Sequence, residues 1–215
     1  MTSENIPAAT QLFTPSWIVK YLVQNSLGRL WMINNPESNL INHMEYYISP
    51  KESEKNVLKV NSPEEIKVCD PACGSGHMLT YSFDLIYFIY EEEGYDPESI
   101  PGLILKNNLY GIEIDRRAAE LSGFALTMKA LNKEKDFFKN PIKPNICTLE
   151  NIQFDDNEIK KFLSKFNNKF SHNDFEKTLN QFKDAFNFGS LIKPYFENGD
   201  NFRQEVLSKD FSKDI

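Results

Sequence analysis

Cysteine is scarce in this chain. The three thiols, Cys69, Cys73 and Cys147, are spread over 215 residues. That is too few and too scattered for a disulfide framework, and a reducing cytoplasm is the expected compartment. No apolar run is long enough to span a bilayer and no secretory signal is present, so no membrane partner is expected. Positive charge is also in deficit, with 24 Lys and Arg against 31 Asp and Glu, net −7. That balance argues against a free-standing grip on nucleic acid. No internal repeat and no low-complexity linker breaks the chain, and its length suits one compact domain or slightly more.

The acidic excess is local. Residues 1–62 carry five positive and five negative side chains, and residues 131–215 carry fourteen of each. Residues 63–130 carry five positive against twelve negative. That stretch contains "KVCDPACGSGHML" (67–79), a glycine-rich turn with an aspartate before it and no lysine after it. A polyphosphate is therefore an improbable ligand there.

The pattern divides the chain at 1–62, 63–154 and 155–215. In the first part, "TQLFTPSWIVKYLVQNSLGRLW" reads as a helix with Thr14 as N-cap and Pro15 at the first helical position. Trp17, Ile18, Tyr21, Leu22 and Asn25 recur near helical spacing, and a further helix is possible around 37–47. The middle part reads β-α-β-α: a buried strand at 65–70, a helix from His77 to Glu91, a loop at 91–102, a strand at 108–115 and a helix from Arg116 to Leu131. A third strand lies within 143–154. Strands alternating with helices indicate a parallel sheet, so the fold class is α/β. In the last part, Ile159, Phe162, Leu163, Phe166 and Phe170 share one helical face, and Phe175, Leu179, Phe182 and Phe186 share another. With "SHND" (171–174) as turn and cap, this predicts a helical hairpin. Lys160, Lys161, Lys165 and Lys169 are that helix's wet face rather than a DNA contact.

Ligands of open parallel sheets bind beyond the carboxyl ends of the strands. The turn Asp70–Gly76 lies at such an end. Gly74 and Gly76 let backbone approach a ligand closely, and a helix starting near His77 offers N–H groups to an anionic group. A P-loop is excluded, because the lysine and hydroxyl that must follow the glycines are missing. A dinucleotide fingerprint fits poorly, because Leu79 stands where a third glycine belongs. S-adenosylmethionine carries a sulfonium, an ammonium, a carboxylate, a ribose diol and an adenine, and no phosphate. Asp70 suits a cation, the helix start suits a carboxylate, and Glu113 at the tip of "YGIEID" suits a ribose diol, with apolar neighbours to pack on adenine. Cys69, Cys73 and His77 are spaced four apart, but no fourth metal ligand is near and Cys69 falls in the expected buried strand, so core and turn roles are expected.

Three stretches in order, "FTPSWIVKYLV", "DPACGSGHML" and "NLYGIEIDRRAAELS", resemble motifs X, I and II of amino-group DNA methyltransferases that make N6-methyladenine. The resemblance spans about residues 8–155 and is closest to type IIG restriction–modification and BREX-type adenine methylases. It implies a Rossmann-like S-adenosylmethionine-dependent sheet, here incomplete, with an N-terminal helix carrying motif X and a C-terminal helical hairpin. It implies that Phe13, Thr14, Asp70, Pro71, Ala72, Gly74 and Gly76 sit by the methionine part of the cofactor. By the same resemblance Glu113 holds the ribose, Ile114 stacks on adenine, and Glu150 approaches the adenine amino group. Double-stranded DNA is the implied substrate.

One element of the pattern is missing. The family's Asn/Asp-Pro-Pro-Tyr/Phe motif, which grips the flipped base, occurs nowhere in these 215 residues. "NPE" (35–37) and "NPI" (140–142) are the nearest stretches. The chain is expected to be the cofactor-binding part of a longer enzyme, with no catalytic residue of its own. A first strand lacking a neighbour on one side would invite self-association or a substitute strand from 202–208. A methyltransferase acting on protein or a small molecule, and a non-catalytic cofactor-binding module, remain open alternatives.

Overall fold

The computed structural model describes residues 14–50, 58–149, 155–164, 172–182 and 193. The chain divides into two compact units, Met1–Leu149 and Glu150–Ile215.

The first unit opens with helix α1 (Ser16–Val23), which passes through a π-helical turn (Gln24–Gly28) into α2 (Arg29–Asn34). Pro15, not Thr14, is the N-cap, and its carbonyl accepts from the Ile18 and Val19 N–H groups at 3.0 and 3.1 Å. No side chain caps this end, so the capping role expected of Thr14 is not observed. The buried stripe is also one position off the expected one. Val19, Val23, Leu27 and Trp31 enter the core, while Trp17, Tyr21 and Leu22 are exposed. "WIVKYLV" is apolar at all but one position, so its periodicity does not select a face. The core selects it. Gln24, fully buried, donates from Nε2 to the Tyr81 hydroxyl at 2.5 Å and accepts the Tyr46 N–H at 2.6 Å. Asn25 likewise donates to the Tyr46 carbonyl and accepts the Ile48 N–H. The stretch expected to hold a helix near 37–47 forms only a 3-10 turn, Asn39–His43.

Three strands form an all-parallel sheet in the order β1 (Val68–Asp70), β2 (Leu109–Glu113), β3 (Asn145–Thr148). β1 is shorter than the expected 65–70 because Pro63–Glu65 form a 3-10 turn. Helix α3 (His77–Glu92) follows the glycine turn and buries Leu79, Phe83, Ile86 and Tyr90 completely. Leu85 and Ile89 are buried as well, so this is a central helix rather than a half-wet one. Helix α4 (Ile100–Asn107) begins inside the stretch expected to be loop. Its Pro101 stands in the first turn, where a missing N–H costs nothing. Helix α5 (Arg116–Lys133) follows β2, with the Asp115 carboxylate accepting from the Arg117 and Ala118 N–H groups.

Asn108 joins these pieces. Its Nδ2 donates to the Pro63 and Ile66 carbonyls at 2.7 and 2.9 Å, and its Oδ1 accepts the Tyr90 hydroxyl at 3.0 Å. The entry to β1, the entry to β2 and helix α3 are thereby fixed to one side chain.

Gly111 and Ile146 share the sheet face that receives Leu79 of α3. On the other face lie Cys69, Tyr110, Ile112 and Cys147, with Cys69 and Cys147 exposed. Cys69 is thus not in a buried strand, contrary to expectation. Among the described residues no strand pairs with the free side of β1.

In the second unit, α6 (Asp156–Ser164) and α7 (His172–Phe182) pack through Ile159, Leu163 and Phe175. The Phe162 and Phe175 rings stack with centroids 5.3 Å apart. His172 to Asp174, expected to supply a turn and cap, form the first turn of α7, and Ser171 lies outside the described residues. Lys160 and Lys161 are exposed, while Phe166, Phe170, Phe186 and the segment 202–208 lie outside the described residues.

Candidate functional site

The glycine turn follows β1 directly. Asp70 ends the strand and its Oδ1 accepts the Ala72 N–H at 3.1 Å, an aspartate turn that bends the chain away from the sheet. The Cys73 N–H donates to the Ile112 carbonyl at 3.0 Å, and the Gly76 N–H to the Cys73 carbonyl at 2.8 Å. The turn is thus tied to β2 and closed on itself before α3 begins.

Gly74 and Gly76 both have positive φ, +53° and +84°, which favours glycine at each. Their surroundings differ. A β-carbon at Gly76 would lie 2.5 Å from the Ser122 hydroxyl of α5, so that glycine serves helix packing. A β-carbon at Gly74 would meet nothing within 4 Å. The backbone at Gly74 is therefore open on its β-carbon side.

Glu113, at the tip of β2, stands across from this turn. Its Oε2 accepts the Gly74 N–H at 2.6 Å, and its Oε1 accepts the Ile114 and Asp115 N–H groups at 2.8 and 3.1 Å. Ile114 is 41% exposed beside it. Pairing of Asp70 with Gly111 sets the two strand tips side by side. Asp70 and Pro71 also line a cleft of about 520 Å³ with Val23, Leu27 and Leu30 of the first two helices and the π-helical turn between them. Thr14 is exposed at the start of α1, and Phe13 and Glu150 lie outside the described residues. Asp70, Pro71, Ala72, Gly74, Gly76, Glu113 and Ile114 are thus gathered at one end of the sheet.

Two contributors escaped the sequence reading. Gly111 is packed so closely that an added β-carbon would meet Ile146 Cδ1 at 2.7 Å and Cys73 Sγ at 3.0 Å. A glycine inside "LYGIE" was the available signal, since a strand glycine marks close approach. Ser122 is the other, fully buried beneath Gly76. Burial pushes the Cys73 thiol above its ordinary value, and the Asp70 and Glu113 charges push the same way. Among the described residues no group of His, Cys, Asp and Glu could hold a metal ion.

Residues 30–202 match the family model described as N-6 DNA Methylase. The chain belongs to the N-6 DNA methylase family. It is 49% identical over 165 residues to an Escherichia coli protein named adenine-specific methyltransferase BrxX, covering 73% of this chain and 14% of that one. It is 38% identical over 173 residues to a Lacticaseibacillus casei protein named adenine-specific methyltransferase PglX, covering 74% of this chain and 14% of that one. A putative type II restriction enzyme and methyltransferase of Methanocaldococcus jannaschii is 27% identical over 163 residues, covering 66% of this chain and 14% of that protein. The chain therefore spans about 14% of the length of these curated relatives. No described helix is long and apolar enough to cross a membrane.

Proposed function

We propose that this chain is the S-adenosylmethionine-binding portion of a site-specific DNA adenine-N6 methyltransferase in a restriction–modification or phage-defence system. The observation that carries it is the carboxylate of Glu113 held against the open backbone of Gly74 at the strand tips. That arrangement suits a ribose diol beside a closely approaching chain, and the family membership supplies the methyl donor that has one. The sheet is then the first part of a Rossmann-like methyltransferase domain.

The residues fit the group. Gly74 leaves room on its β-carbon side. Asp70 and Glu113 give carboxylates where the cofactor offers cations and hydroxyls, and no lysine awaits a phosphate. In this proposal Phe13, Thr14, Asp70, Pro71, Ala72, Gly74 and Gly76 hold the methionine part, with the amino-terminal end of α3 favouring its carboxylate. Glu113 accepts from the ribose, Ile114 packs on the adenine, and Glu150 receives the adenine amino group. When bound, the cofactor supplies an electrophilic methyl group. This chain's part is to bind and orient it. Transfer to a flipped adenine awaits an Asn/Asp-Pro-Pro-aromatic element, which is not among these residues. The free side of β1 is where an added strand or a second copy would pair, a proposal that sedimentation at several concentrations tests.

Calorimetry with S-adenosylmethionine and its demethylated product is the test. Wild type should bind, and Glu113→Ala should lose roughly 10- to 100-fold in affinity, the worth of charge-assisted hydrogen bonds. Equal affinities would remove Glu113 from the site, and no binding by wild type would sink the proposal. Tritium transfer to unmethylated DNA by the chain alone should stay at background. DNA binding should be weak and fade with salt, given the net charge of −7.

A further inference from the structure

We infer that Glu113 is also a positioning residue: its carboxylate is the strut that holds the glycine turn in shape before any ligand arrives. The inference rests on the geometry of the chain itself, and it deepens the proposed function only in what it implies for affinity.

The three hydrogen bonds of Glu113 have two destinations. Oε1 accepts the N–H groups of Ile114 and Asp115, which follow it in its own chain. Those bonds fix the rotamer of the side chain at the end of β2. Oε2 crosses to the other chain segment and accepts the Gly74 N–H at 2.6 Å. Apart from this bond, Gly74 is held among the described residues only by a long contact of the Cys73 thiol to its carbonyl, at 3.9 Å. Its β-carbon direction is open. Its φ of +53° is one of several conformations that glycine takes at similar cost. Cys73 and Gly76 on either side are already bonded to Ile112 and Cys73. The Gly74 N–H lies between those anchors, and the Glu113 carboxylate ties it to the tip of β2.

Both oxygens act as acceptors, and this sets the chemistry of the strut. Glutamine is nearly isosteric but has only one acceptor oxygen. If that oxygen serves Ile114 and Asp115, the amide N–H₂ faces the Gly74 N–H, donor against donor. Aspartate keeps both oxygens but is one methylene too short to reach both destinations. Neither conservative replacement can do what glutamate does. A carboxylate has about four acceptor sites, three of which are taken here, so one remains on the turn side for a ligand hydroxyl. The site is thus pre-shaped with an acceptor still available.

Amide hydrogen exchange on the unliganded full chain tests the strut. In wild type the Gly74 amide should exchange about tenfold or more slowly than its unfolded rate, despite its place in a surface turn. An unprotected Gly74 in wild type overturns the inference without recourse to any variant. In Glu113→Gln and Glu113→Asp the Gly74 protection should vanish while the Val68 amide, which donates to the Asn108 carbonyl, stays protected. Retained protection in both variants would also overturn it. Affinity for S-adenosylhomocysteine supplies the second readout. Glu113→Gln turns an amide toward the turn, so affinity should fall together with Gly74 protection, and wild-type affinity alongside an unprotected Gly74 would overturn the claim that the strut shapes the site for its ligand. Wild type failing to bind would defeat the cofactor proposal and leave the exchange result standing by itself.

Discussion

The Ser122 hydroxyl occupies the place where a side chain at residue 76 would begin, 2.5 Å from an ideal β-carbon on Gly76. The Ser122 Cβ and Cα lie at 3.1 and 3.2 Å from the same point, so a rotamer change does not relieve the contact. Gly76→Ala therefore meets both a left-handed backbone and the wall of α5. It should cost about 2–4 kcal/mol of stability. Gly74→Ala meets only the backbone strain, about 1–2 kcal/mol. Urea titrations of the two variants should show this order. For ligand affinity the order should reverse, because the open side of Gly74 is where a ligand would pass. Equal stability losses would mean that α5 yields to the added methyl group.

Asn108 is a second test of what holds the sheet to its helices. It is fully buried and makes three side-chain hydrogen bonds, to Pro63, Ile66 and Tyr90. Asn108→Ala leaves two carbonyls and a phenol without that partner and should cost about 3 kcal/mol. Asn108→Asp should be no better, since a carboxylate cannot donate to the two carbonyls. Burial already pushes the Tyr90 phenol well above its ordinary range, with the Glu64 charge adding to it. Thermal unfolding of both variants checks this. A loss under about 1 kcal/mol for Asn108→Ala would show that water replaces the amide.

How much of this was legible in the residues depended on the pattern each element carried. Helix α3 was legible because Leu79, Phe83, Ile86 and Tyr90 repeat at helical spacing, and all four are buried. The parallel sheet was legible from strands alternating with helices, and the facing of Asp70–Gly76 and Glu113 from the rule that ligands gather at strand ends. Helix α4 was not, because Pro101 and Gly102 look like turn residues, and only burial of Ile100, Ile104 and Leu105 turns them into a helix start. The face of α1 was not, because an almost wholly apolar stretch has no phase. The exposure of Cys69 was not, because a three-residue strand inside "EIKVCD" looks the same whether one face is covered or both. The division of labour between Gly74 and Gly76 could not be read at all, since it depends on a serine 46 residues further along the chain than Gly76.

Glu92, the last residue of α3, ties that helix to the start of the 3-10 turn Asn39–His43. Its carboxylate accepts from the Asn39 N–H at 2.6 Å, the Asn39 amide at 3.1 Å and the Ser38 hydroxyl. Burial raises the pKa of this carboxyl, but the hydrogen bonds from Asn39 and Ser38, aided by His43, outweigh it and hold it below the usual glutamate range. A carboxyl with a depressed folded pKa stabilises above its unfolded value, and that contribution is lost as pH falls through the folded value. The stability gap between wild type and Glu92→Gln should be full at neutral pH and shrink on acidification below about 4.5. Denaturant midpoints measured across that range check it. A gap that stays constant into acid would mean the amide replaces the carboxylate in every bond.

The three thiols offer a last test, because their environments differ while their chemistry is the same. Cys69 and Cys147 are exposed on the sheet face away from α3, and Cys73 is buried against Gly111. Reaction with a thiol reagent requires both access and thiolate. Cys73 is short of each: it is buried, and that burial raises its pKa above the ordinary thiol value, with the Asp70 and Glu113 charges pushing the same way. At neutral pH the native chain should therefore show two fast thiols, and a third that reacts only on unfolding. Cys69→Ser and Cys147→Ser should each remove one fast equivalent and leave stability within about 0.5 kcal/mol. Cys73→Ser should remove the slow equivalent and cost stability, because it sets a hydroxyl where sulfur packs on Gly111. Three fast equivalents in the folded chain would show that the glycine turn opens readily, and the close packing of Cys73 beneath it would then be transient.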